Sequence, residues 1–257
     1  MEESFTRLVY THCLVMLEGR GGDPAECVDI IVQTMRFFHS SSSSGAYAQC
    51  ACMCIDSLLR HEHMSAHLAS LCRNDSYLCN EVYSELSRMQ MHMLSLQGAK
   101  NIGTYIEAHA AAHPEGYMHI FPHIVKLVDC SVHHIRSAML HACTHVVVHI
   151  HRMLTEAPPS ASSSENTEDH VHTHENKAHL TKLRDTLLDI LGERVHDTSP
   201  YTRANVLKMY IHLLEQRALP VRLVGGLAHS AADRLKDRNF LVRKQAVALL
   251  SMLVEVR

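Results

Sequence analysis

The side chains in this chain most suited to chemistry are thiols and imidazoles. Cys50, Cys52 and Cys54 precede His61, His63 and His67, and Cys72 and Cys79 follow. Ligands of these types hold zinc when four converge on one point. Residues two apart on a helix, however, point about 200° away from each other, so Cys50 and Cys52 do not share an ion. Cys50 and Cys54 share a face, as the members of any buried stripe do, and core packing is the reading adopted. His170, His172, His174 and His179 form a second cluster, but the chain's 23 histidines are spread over nearly every segment, which is a bias of composition. The "HEH" at 61–63 lacks the two-residue gap of a metalloprotease helix. There is no glycine-rich phosphate loop with Lys and Ser/Thr, no "GxSxG", and "GRGGD" at 19–23 reads as a helix stop followed by a cap. No catalytic residue, metal ligand or cofactor is expected, and the chain does not read as an enzyme.

Composition sets what must position these residues. Apolar residues make up 46% of the 257 and charged ones 20%, the balance of a folded protein, while aromatics are only 5% and Trp is absent. Leu, Ala, Met and Val favour helix packed on helix over sheet. No run reaches the roughly 18 apolar residues of a membrane span, and no export signal is legible, so no membrane partner is expected. The cysteines number nine, and Cys13, Cys27, Cys130 and Cys143 lie in apolar runs, which reads as buried thiols in a reducing, intracellular compartment.

The net charge of −3 hides a gradient: residues 179–257 carry 13 Lys and Arg against 8 Asp and Glu, and residues 1–178 carry 11 against 19. The C-terminal third is the part suited to an acidic partner.

Periodicity predicts helices over 4–18, 24–39 and 46–60, with Asp23 ahead of Pro24 as a start signal. Further helical segments cover about 62–73, 75–96, 100–112, 115–128 and 132–154. Residues 156–178, rich in Pro, Ser, His and acidic side chains, have no apolar face and read as a flexible insertion. Helices resume over 179–195, 200–216, 220–236 and 240–256.

Three of these segments align by their turns. "KLVDCSVHHIRSAMLHAC", "ERVHDTSPYTRANVLKMY" and "DRLKDRNFLVRKQAVALL" each hold an Asp (Asp129, Asp197, Asp237) and, six or seven residues on, an Arg (Arg136, Arg203, Arg243). Arg203 to Arg243 is 40 residues, and Arg136 to Arg203 is 44 once the insertion is set aside. A hairpin period of roughly 40–47 residues belongs to HEAT and armadillo repeats. The expected fold is all-α, an α-solenoid of such hairpins. Each Asp is expected to accept from free N–H groups ahead of the second helix, and each Arg to reach the Asp of an adjacent repeat as a structural ladder. The organisation reads as N-terminal hairpins over 1–96, one repeat over 97–155, the insertion over 156–178 and two repeats over 179–257.

The stretch from Leu180 onward is more particular. "ERVHD", a serine-containing turn, "R" with "VL", the "ALP" entry and "RLKDRNFLVRKQAVALL" occur in order. This stretch resembles the condensin complex subunit 1 family, the non-SMC HEAT-repeat subunits of condensin, and residues 97–155 resemble the family's preceding repeat. Thr202, where the family pattern has an aliphatic residue, and the histidine content depart from it. The resemblance implies a fragment of a longer, non-catalytic regulatory subunit that binds the kleisin and the SMC ATPases. It also implies support for mitotic chromosome condensation, in the nucleus and on chromosomes, with the cytoplasm admitted outside mitosis. For contact with double-stranded DNA, without sequence specificity, or with a protein partner, the candidates are Lys208, Arg217, Arg222, Arg234, Lys236, Arg238 and Lys244. The rival reading is a HEAT or armadillo adaptor of transport or phosphatase type that binds extended peptides or cargo.

Overall fold

The computed structural model describes residues 2–19, 23–39, 45–156 and 167–255, and every regular element among them is helical. The chain divides into two compact units, Met1–Ala142 and Cys143–Arg257.

The first unit holds α1 (Glu2–Gly19), α2 (Pro24–His39), α3 (Gly45–Arg60), α4 (Met64–Asn74), α5 (Ser76–Arg88), α6 (Leu96–Ala112), α7 (Pro114–Ile124) and the start of α8 (His133–Glu156). Each helix packs on the one two places further on, from α1 on α3 through α5 on α7, and successive helices such as α1 with α2 and α6 with α7 pack as well. That is the contact pattern of stacked hairpins, in which no hairpin closes its own core. On α5 the spacing of Leu78, Val82 and Leu86 sets one apolar stripe at successive turns, and all three are fully buried. Removing side chains of this size from water contributes roughly 1.5–3 kcal/mol each.

The helical segment read over 75–96 is shorter, and the helix read over 100–112 starts four residues earlier. α5 ends at Arg88, a short 3-10 turn spans Met91–Met93, and α6 starts at Leu96, with the Ser95 hydroxyl accepting from the Gly98 N–H at 3.0 Å. The methionines between α5 and α6 resemble a continuing apolar stripe, which hides the break in the sequence. Asp75 opens α5, accepting from the N–H groups of Tyr77 and Leu78, both at 3.0 Å.

The second unit continues α8 and holds α9 (Thr167–Glu193), α10 (Pro200–Glu215), α11 (Val221–Arg234) and α12 (Phe240–Glu255). α9 begins at Thr167, inside the stretch read as an insertion, and residues 157–166 of that stretch lie outside the described residues. Residues 167–178 extend α9 N-terminally. α10 packs along α12, and α11 joins α12 through residues 235–239. Val206, Leu207 and Leu213 from α10 and Val242, Ala246 and Leu249 from α12 are fully buried.

α10 ends in a Schellman turn: the Ala218 N–H bonds the Leu213 carbonyl at 2.8 Å and the Arg217 N–H the Leu214 carbonyl at 3.0 Å. The residue forced into the left-handed region is Arg217, at φ 54°. Its Cβ makes that conformation unfavourable, so Arg217→Gly is expected to raise stability by about 0.5–1 kcal/mol in urea denaturation.

Candidate interaction surface

The Asp and Arg positions form one bonding unit used twice in the second unit. Arg203 donates from Nη1 to the carbonyls of Asp197 (2.7 Å) and Thr198 (3.2 Å), which ties its own repeat's turn to α10. Its Nε and Nη2 reach the next turn, meeting Asp237 Oδ2 at 2.8 Å and Oδ1 at 3.0 Å. Arg243 repeats the first part, donating to the carbonyls of Asp237 (2.8 Å) and Arg238 (2.9 Å). The Asp carboxylates accept from N–H groups within the turn, Ser199 to Asp197 at 2.8 Å and Asn239 to Asp237 at 2.9 Å, ahead of the first helical residue.

Arg136 follows the same rule and corrects the alignment. Its Nη1 donates to the carbonyls of Cys130 (2.6 Å) and Ser131 (2.9 Å), so the position equivalent to Asp197 and Asp237 is Cys130. The Cys130 thiol accepts from the Val132 N–H at 3.4 Å as the carboxylates accept in the other turns. Asp129 lies one residue earlier and is exposed, which explains its spacing of seven. Cys130 is accordingly a half-exposed turn residue and not a member of an apolar helical run.

A second arginine precedes each of the two aspartate turns. Arg194 stands 3.9 Å from Asp197 Oδ2 and Arg234 stands 3.6 Å from Asp237 Oδ2. The Asp237 side chain, only 3% exposed, is thus held between two guanidinium groups. Hydrogen bonding from Arg203 is the main cause that keeps its carboxyl below the ordinary carboxylate range, against the opposing effect of burial.

The seven candidate contact residues separate into groups. Arg234 belongs to the bonded turn. Arg222, on α11, is paired with Asp185 of α9 at 2.6 Å. Arg217 is the exposed turn residue described above. Lys208, Lys236, Arg238 and Lys244 are exposed, and among the described residues no carboxylate pairs with them. Lys236 and Arg238 flank Asp237, so the ladder presents them as it fixes the turn.

The sulfur and imidazole side chains of the first unit form a buried polar network that composition did not reveal. His109, fully buried, sits with Nδ1 3.0 Å from the Tyr83 hydroxyl and Nε2 3.7 Å from Cys79 Sγ. The Tyr105 hydroxyl donates to Cys72 Sγ at 3.2 Å, and Cys50 and Cys54 lie 3.9 Å apart on one face of α3. Burial pushes the Cys72 thiol up, whereas hydrogen bonding from Cys72 and then His109 draw the Cys79 thiol down. Cys52 is exposed and faces away from Cys50. Among the described residues no group of three or more His, Cys, Asp or Glu is arranged to hold a metal, and no helix is long and apolar enough to cross a membrane.

No family model matches the chain. Curated relatives do match. The condensin-1 complex subunit CAP-D2 of Arabidopsis thaliana is 36% identical over 74 residues, 29% of this chain and 5% of that protein. Condensin complex subunit 1 of Schizosaccharomyces pombe is 24% identical over 206 residues, 78% of this chain and 16% of that protein. The Mus musculus condensin complex subunit 1 is 36% identical over 70 residues, 27% of this chain and 5% of that protein. This chain therefore spans between 5% and 16% of the lengths of these relatives. By these likenesses, and with Arg203 and Asp237 joining one hairpin turn to the next, the chain is a relative of condensin complex subunit 1.

Proposed function

We propose that the chain acts as a non-catalytic helical-repeat subunit of a condensin complex, docking the kleisin and the SMC ATPases on chromosomes and supporting their condensation in mitosis. The observation that carries this reading is the likeness to Schizosaccharomyces pombe condensin complex subunit 1 across 78% of the chain. Stacked hairpins, two of them joined by the Arg203–Asp237 pair, support it physically, because such a stack offers rigid surfaces for other chains. Affinity purification of the tagged chain from mitotic cells tests it. Recovery of SMC and kleisin proteins is expected; recovery of transport cargo or phosphatase subunits in their place would overturn it.

The same reading includes contact of the exposed cations Lys208, Lys236, Arg238 and Lys244 with duplex DNA. Binding through phosphates alone is independent of sequence and weakens steeply with salt. Charge reversal of Lys236, Arg238 and Lys244 is expected to reduce affinity for a duplex by about tenfold or more and to flatten the salt dependence by about 2–3 logarithmic units per decade. Unchanged affinity in electrophoretic or anisotropy titrations would remove DNA from the proposal.

A further inference from the structure

A groove bordered by α9, α10 and α11 has no part in the bonding scheme above. Its volume is about 510 Å³, and Leu188, Tyr210, Leu223 and Leu227 give it an apolar lining. Asp189 and Glu193 of α9 border it, both exposed, and among the described residues no cation pairs with either. Arg222, the basic residue of the lining, is already paired with Asp185, so the groove presents net negative charge. On α11 the lining includes Gly226, next to Gly225, and a Cβ built at either meets nothing within 4 Å. Glycine inside a helix weakens it relative to alanine. Here it relieves no crowding, so the chain's own packing does not account for this small-sided wall.

Charge and spacing select the occupant. Asp189 and Glu193 are four residues apart on a helix, about 6 Å along its axis. Alternate side chains of an extended strand are spaced by about 6.6 Å and point to one side, with the intervening ones pointing to the other. A nucleic acid backbone is repelled by the same two carboxylates. We propose that this groove binds an extended basic segment of a partner protein, with lysine or arginine at alternate positions against Asp189 and Glu193 and small side chains against Gly226. The proposal does not rest on the condensin reading.

The test is fluorescence anisotropy with the whole chain and a fluorescein-labelled Ala-Lys-Ala-Lys-Ala-Lys-Ala peptide. This probe is expected to bind at least about tenfold more tightly than its glutamate counterpart or a peptide with the three lysines contiguous. Asp189→Asn with Glu193→Gln, which preserves side-chain shape, should weaken binding about tenfold. Gly226→Leu should abolish binding while leaving the melting temperature unchanged or higher, which separates a filled groove from a damaged fold. No binding of the lysine peptide, equal binding of either control, or binding that survives both sets of substitutions would overturn the proposal.

Discussion

Asp237→Ala is expected to lower the stability of the second unit by about 3–5 kcal/mol, the range for removing one partner of a buried ion pair. The carboxylate takes two bonds from Arg203, one from the Asn239 N–H, and the nearby charge of Arg234. Its loss leaves two guanidinium groups facing each other's charge, and among the described residues the buried Arg234 Nε already has no hydrogen-bond acceptor. Arg203→Ala should lose less, about 2–4 kcal/mol, because Asp237 keeps Arg234 and Asn239. The two substitutions should be non-additive by about 1–3 kcal/mol in a double-mutant cycle. Urea denaturation measures the loss, and hydrogen exchange should place it on the amides of α10 and α12, which the pair joins, with those of α3–α6 unchanged. Acid provides an independent check. The folded carboxyl titrates below its unfolded counterpart, so its contribution is complete above the ordinary carboxylate range and is lost as pH falls through the lowered folded value. Asp237→Asn should flatten that acid limb. Equal stability of Asp237→Ala and the native chain would show that the pair guides register without adding free energy.

Those residues also show how far the sequence is legible. The 40-residue interval relates Arg194 to Arg234, Asp197 to Asp237 and Arg203 to Arg243, and each pair occupies equivalent places in the fold. Periodicity located α10, α11 and α12 to within a residue or two because each carries its own apolar stripe and opens after Pro or Asp turn chemistry. Two kinds of information were out of reach. One is backbone path: an arginine that closes its own turn through two carbonyls leaves no mark on residue types upstream, so Asp129 aligned with Asp197 although Cys130 holds the equivalent place. The other is long-range pairing: Arg222 reads as a free surface cation until α9 brings Asp185 to it across 37 residues of chain. The groove beside that pair was hidden for the same reason, since Asp189, Glu193 and Gly226 come together only in the folded unit.

Asp75→Ala should be a strongly damaging polar substitution in the first unit, lowering stability by about 2–4 kcal/mol. Asp75 is 5% exposed and serves three donors at once. Oδ1 accepts from the Tyr77 and Leu78 N–H groups, which opens α5, and Oδ2 accepts from the Tyr47 hydroxyl of α3 at 3.2 Å. Arg36 of α2 donates to the neighbouring Asn74 carbonyl at 3.0 Å, so helices from two preceding hairpin positions are fastened to one corner. A helix cap alone accounts for about 1 kcal/mol, and leaving buried donors without their acceptor adds about 1–3 kcal/mol. The two parts can be separated experimentally. Tyr47→Phe removes the hydroxyl contact and keeps the cap, and should lower stability by about 1 kcal/mol. Asp75→Ser keeps a capping oxygen but does not reach as far as the carboxylate, so it should fall between the native chain and Asp75→Ala. Thermal and urea denaturation rank the variants, and faster hydrogen exchange at the first turn of α5 should accompany Asp75→Ala but not Tyr47→Phe. If both variants exchange alike, the corner is held by α3 packing and the cap is incidental to it.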